Sequence, residues 1–336
     1  MPRLASLVVV LGVCTAPLFS QQATPRPAPK PRPGVSTPGV KIPVSALEPI
    51  AVFDIPGAPD WMALDEHLWI SNSPKSTVTR IDPNANRIVE HIPVGARPCS
   101  GLAAGFGSLW VPNCGDKTVS RVDLKTGKVT ATWPLTIGSS EGGVAVGAGS
   151  FWMMTDKQGT LARVDPATNS VIKTIPIAGG SYAVAFGNDA VWVTSSDQNL
   201  LTRVNPKTNA VETTIAIGPK PRFLAVGEGS VWTLNQGDGT ISRVDMKTNK
   251  LVATIEAGIP GGGGEIAVGE GSVWATVFEF PLTRIDPATN KVVQQFFGKG
   301  GDSVRVGFGS VWLADLEAGK LLRLDPKRIK AAKGTD

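Results

Sequence analysis

Groups able to do acid–base or metal chemistry are sparse in this 336-residue sequence. It holds two histidines, His67 and His91, and neither has another ligand type at a metal-binding spacing. His67 falls in a turn and His91 in an outer strand, so both read as surface residues. No Cys-x-x-Cys-His stretch occurs, no Gly-x-Ser-x-Gly stands as an elbow between a strand and a helix, and Gly261 to Gly264 lacks the strand–helix setting of a phosphate cradle. These observations assign no catalytic residue, no metal and no cofactor. Arginine recurs instead: Arg80, Arg121, Arg163, Arg203, Arg243, Arg284 and Arg323 hold one equivalent position. A single ligand has no use for the same guanidinium seven times, so these read as structural, pairing with nearby turn carboxylates.

The elements that position these groups follow from a repeat. Gly-Glu-Gly-Ser-Val-Trp at 227–232 returns at 269–274, and near-copies stand at 105–110, 147–152 and 307–312. Seven tryptophans, from Trp69 and Trp110 through Trp312, are spaced by 41, 42, 40, 40, 42 and 38 residues. Each period splits into four short β-branched runs broken by Gly, Asn and Asp clusters, such as Asp-Pro-Ala-Thr-Asn at 165–169. That pattern predicts an all-β, seven-bladed propeller of four-stranded blades over 47–325. Six fourth strands follow third strands, and none follows Arg323-Leu324-Asp325. The run at 49–55 supplies the seventh, so the N-terminal strand (about 47–55) is expected to complete the C-terminal blade and close the ring.

Within this frame, positions that break the repeat are the candidates for a site. The first strands open with Asp60, Ser100, Gly142, Tyr182, Arg222, Gly264 and Asp302, followed by Trp61, Gly101, Gly143, Ala183, Phe223, Glu265 and Ser303. Two residues further in, six blades have alanine and the seventh has Arg305. A lone guanidinium there requires a partner, available in Glu265, Asp302 or Asp315. Two readings stay open: an ion-pair plug, or a mouth where Arg305 and Arg222 meet an acidic group of a ligand. Trp61, Tyr182 and Phe223 would pack against that ligand, with Asp60 and Arg97 on the same loop face. In the second blade the hairpin register that sets Ala104 opposite Leu109 also sets Cys99 opposite Cys114, which predicts a disulfide.

The unit resembles the YVTN-type propeller repeat and, with tryptophan in the second strand, the propeller of the streptogramin (virginiamycin B) lyases, over residues 47–325. That resemblance implies a catalytic histidine and glutamate with a magnesium ion, and blades reading Trp-Phe-Thr-Glu. Here the third position after each tryptophan is Asn72, Asn113, Thr155, Ser195, Asn235, Val277 or Asp315. The expectation is therefore a binding module for a small molecule, peptide or glycan without catalysis of its own; the alternative is a lyase-like or other small-molecule enzyme.

The ends of the chain carry addressing signals. Residues 1–20 read as a cleaved export signal, with Arg3 before an apolar run too short to span a membrane. Valine just before Cys14 fits a lipid-attachment motif badly. Residues 21–46, with prolines among Arg26, Lys30, Arg32 and Lys41, read as a semi-rigid basic linker, with envelope contact as a minor role. Residues 326–336 form a basic tail. Those four linker cations and Arg3 have no acidic counterpart before residue 47, while Lys327, Arg328, Lys330 and Lys333 face only Asp336. The net charge of +5 thus resides in the ends, leaving −3 on 47–325, and no nucleic-acid partner is expected. A periplasmic or secreted location is expected.

Overall fold

The computed structural model describes residues 33–329. The signal-peptide reading at 1–20, Cys14, the first part of the linker and the end of the tail lie outside them. Seven sheets form the ring, each built on four antiparallel strands; in six of them these run from the axis outward in sequence order, and the sheet of blade 6 gains a fifth, parallel strand. The seventh sheet is closed as expected. Strand β2 (Ala51–Asp54) lies against Lys320–Leu324 of the last blade, with Ala51 opposite Arg323 and Asp54 opposite Lys320.

Each residue of the repeated Gly-x-Gly-Ser-x-Trp stretch has a distinct task. The tryptophans are fully buried between blades, and an indole N–H buried without a partner would be costly. In six blades Nε1 donates to the carbonyl oxygen of the glycine five residues earlier, at 2.9–3.2 Å. In blade 1, whose turn is one residue shorter, the Asp65 carboxylate accepts instead at 2.7 Å. That first glycine is also a notch. A Cβ on Gly227 would lie 2.5 Å from Val268 of the next blade, and one on Gly307 would lie 2.7 Å from Leu64. The second glycine of the stretch faces open space and serves the turn alone, with φ near +69° at Gly229.

The seven arginines are structural, but their partners differ from the expected turn carboxylates. Every guanidinium stacks on the tryptophan of its own blade, 4.7–5.6 Å from the ring centroid. In five blades Nε bonds the serine of the motif, as Arg243 does Ser230 at 2.9 Å. Nη1 then crosses to the next blade's turn, where Arg163 meets Pro206 O at 2.6 Å and Asn209 Oδ1 at 2.7 Å. Arg323 reaches Pro83 O and Asn86 Oδ1 of blade 1, strapping the ring shut. Only Arg80 and Arg203 take carboxylates, from Glu90 and Glu212 on outer strands. The turn carboxylates are already occupied by their own backbone amides, as at Asp245 with Lys247 and Thr248.

Residues 33–46, read from composition as linker, lie on the propeller. Strand β1 (Lys41–Pro43) adds in parallel to the outermost strand of blade 6, with Lys41 opposite Gln295. Val35, Val40 and Ile42 are buried, and Val35 N donates to Gln295 Oε1 at 2.7 Å. Averaged over its prolines the segment has a linker's composition; these three side chains suffice to dock it. Among the described residues no helix is long and apolar enough to cross a membrane.

Candidate functional site

The loops entering each first strand converge around the axis on one face of the ring. Here the repeat-breaking residues meet. Glu265, at the start of blade 6 and only 5% exposed, forms an ion pair with Arg305 of blade 7. Its other oxygen accepts from Ser303 Oγ at 2.6 Å and Val304 N at 3.2 Å. Arg222 pairs with Glu141 at 3.2 Å, and its guanidinium lies 5.0 Å from the Tyr182 ring and 5.5 Å from Phe223. Trp61 of blade 1 and Phe223 of blade 5 touch across the axis, ring centroids 6.0 Å apart. At this layer four blades carry only Gly101, Gly143, Ala183 and Ser303, which leaves the centre to the two large rings.

Both guanidiniums therefore have a carboxylate each, and two further carboxylates have none. Asp302 Oδ1 accepts from Gly264 N at 2.7 Å, which lowers its pKa; Arg222 acts the same way. Burial, Glu141 and Glu265 outweigh them and raise it to about 6. Among the described residues no hydrogen bond or ion pair engages the Asp60 carboxylate. Burial first, then Asp302, Glu265 and Glu141, push its pKa well above the ordinary range, opposed by Arg305. The mouth is thus an acidic cup with an aromatic floor, in which Asp60 and Asp302 hold protons more tightly than free carboxyls do.

Of the sequence-derived candidates, Asp60, Trp61, Tyr182, Arg222, Phe223, Glu265, Asp302 and Arg305 are brought together. Arg97 is exposed in the loop between blades 1 and 2, held by its backbone to Ser76 Oγ at 3.2 Å, and pairs with none of them. Asp315 caps its own turn at Ala318 N, 2.9 Å away, and borders a separate cleft with Phe278 and Lys299. Glu141 was missed. Shifting the aligned column back by one residue reads Pro59, Cys99, Glu141, Ser181, Pro221, Gly263 and Gly301, where its charge stands alone. Cys99 and Cys114 form the disulfide, with Cα atoms 5.8 Å apart. Their register is shifted, since Pro98 rather than Ser100 bridges the strand at Asn113. Positive φ at Ser100 and Gly101 introduces that shift.

The positions after the tryptophans that would bear glutamate in the lyase pattern serve as braces. Asn113 Nδ2 and Asn235 Nδ2 bond the threonine and serine of their own third strands at 2.8–3.0 Å. The resemblance to the lyases implies a magnesium ion, and these residues do not fit one. Among the described residues no three His, Cys, Asp or Glu side chains are grouped to hold a metal. Glu265 is also already engaged through both oxygens.

Fold and mouth together define a seven-bladed propeller with an axial polar site. Among solved structures it is similar to a streptogramin B lyase, at TM-score 0.69 and 19% identity over 83% of this chain and 96% of that one. It is similar also to a catalytically inactive virginiamycin B lyase from Staphylococcus aureus with quinupristin, at TM-score 0.70 and 16% identity, covering 83% and 98%. A third, Kuenenia stuttgartiensis hydrazine synthase, has TM-score 0.68 and 14% identity over 84% and 97%. Likeness at these identities establishes the fold alone. No protein-family model and no curated protein sequence matches the chain.

Proposed function

We propose that the chain is a binding module that takes a positively charged group of a small molecule, peptide or glycan at the axial mouth. The carrying observation is the charge balance of the cup: Asp60 and Asp302 remain after Arg305 and Arg222 have been matched by Glu265 and Glu141. A cation entering there gains two carboxylates, whereas an anion would first have to break one of the existing pairs. Tyr182 and the Trp61–Phe223 floor add apolar area beneath an organic cation. Thermal shift with arginine methyl ester and with citrate tests this at pH 8. Stabilisation by the ester, lost in Asp60→Asn/Asp302→Asn, is the expected result; stabilisation by citrate alone refutes it.

A second reading, a small-molecule lyase, is favoured by one observation: a carboxyl group titrating near pH 6 in the mouth, suited to proton transfer. Chromatography of quinupristin incubated with the protein and magnesium tests it, and the first reading expects no turnover. Export is part of the proposal. A disulfide between Cys99 and Cys114 persists in oxidising compartments such as the periplasm or outside the cell.

A further inference from the structure

We propose that the central channel is a second binding site, for a linear monocarboxylate whose unbranched apolar chain lies along the propeller axis. The channel begins beyond the Trp61–Phe223 layer, along the innermost strands and away from the mouth. Trp61 and Phe223, in contact across the axis, directly precede the lining residues Met62 and Leu224 and so mark the inner end of this pit. It encloses about 340 Å3. One layer of its lining is a ring of six alanines, Ala63, Ala103, Ala145, Ala185, Ala225 and Ala267, with Arg305 as the seventh member. The next layer toward the opening is apolar, including Leu64, Phe186 and Val306.

Arg305 and Glu265 are the only charged side chains lining the pit among the described residues. Arg305 uses Nη1 twice, for Glu265 and for Val304 O at 2.9 Å. Among the described residues no hydrogen bond or ion pair engages Nε or Nη2, and the side chain is 26% exposed. The Nε–Nη2 edge is one on which a guanidinium takes a carboxylate through two parallel bonds. The rest of the wall is hydrocarbon and rewards an apolar chain. A polar guest would lose its hydrogen bonds to water along that wall. A polyanion would find one guanidinium, already shared with Glu265. At about 340 Å3 the pit lies at the small end of ligand-site volumes, and decanoate is a monocarboxylate of that scale. This site shares the Glu265–Arg305 pair with the mouth but does not rest on the mouth's taking a cation.

Calorimetric titration of decanoate into the full chain provides the test, with 1-decanol and acetate as comparisons. Saturable binding of one decanoate is expected, with decanol weaker by about tenfold or more for want of the charge-assisted bonds, and no acetate binding. Ala185→Phe, which fills the pit, should abolish binding. Arg305→Met alone leaves Glu265 buried without a partner, so the companion variant is Glu265→Gln/Arg305→Met, in which decanol and decanoate should bind equally. Absence of saturable decanoate binding to the unaltered protein would overturn the proposal. So would equal affinity for acid and alcohol, or undiminished binding in a folded Ala185→Phe. Should Ala185→Phe not fold, the acid–alcohol comparison and the double variant still decide.

Discussion

Replacing Asp302 with asparagine should change how stability depends on pH. In the unfolded chain this carboxyl releases its proton near 3.8, and in the folded ring only near 6. Between those values the folded state holds a proton that the unfolded state has lost, so stability falls as pH rises through the window. Each pH unit is worth about 1.4 kcal/mol, and the whole gap amounts to about 3 kcal/mol. Asp60 acts in the same direction and carries the decline to higher pH. The turn carboxylates Asp82, Asp123, Asp245 and Asp286 have lowered values, so their contribution is present above 3.8 and lost only in more acidic solution. The two windows do not overlap. Asparagine keeps an oxygen for Gly264 N while removing the charge. With an unfolding entropy of about 0.6 kcal/mol/K for about 300 residues, Asp302→Asn should melt about 5 °C above the unaltered protein at pH 8 and level with it near pH 4. Melting temperatures at pH 4, 5, 6, 7 and 8 and constant ionic strength measure this. Parallel curves for the two proteins across that range would show that the carboxyl is not held protonated in the mouth.

Gly227→Ala should cost about 1–3 kcal/mol by forcing a methyl against Val268; the urea midpoint measures it, and a loss below about 0.5 kcal/mol would contradict the notch. Deleting 33–46 should lower the melting temperature by several degrees, because Val35, Val40 and Ile42 would leave blade 6 and expose its edge. Deleting 47–56 should be more harmful still, since it removes the strand that closes blade 7; an equal, negligible effect of both deletions would refute this account of the ring. Peptide mapping without reduction should recover Cys99 joined to Cys114, and Cys99→Ser/Cys114→Ser should lose about 2–4 kcal/mol in a denaturant titration.

The fold was legible because a repeat multiplies weak local signals. One Gly-x-Gly-Ser-Val-Trp stretch is a hairpin, while its recurrence near every forty residues specifies blades, their number and the missing strand. The mouth was legible for a related reason: at Asp60, Arg222, Glu265 and Arg305 charge replaces what the alignment of blades expects. What stayed hidden lay off that alignment. Which carboxylate meets Arg305 depends on the twist between blades 6 and 7, and Glu265 rather than Asp315 faces it. Glu141 sits in an inter-blade loop whose path no periodicity fixes. The docked segment at 33–46 was obscured because proline density outweighed three apolar side chains in a reading by composition.

The glycine notches give the ring a seam. From blade 2 onward each first glycine receives a branched or aromatic side chain from its successor: Gly105 takes Val146, Gly147 takes Phe186, and so on round to Gly307 with Leu64. Blade 1 has Asp65 and a shorter turn where the notch would be, and blade 2 presents Ala104 in place of the larger side chain. The two departures match each other, so the joint between blades 1 and 2 is keyed differently from the other six. A copied blade carrying both notch and knob would fit among blades 2 to 7, but placed after blade 1 it would bring a bulky side chain against a neighbour without a recess. A ring keyed in this way therefore accepts an added copy of a blade along one arc and not at the joint that follows blade 1.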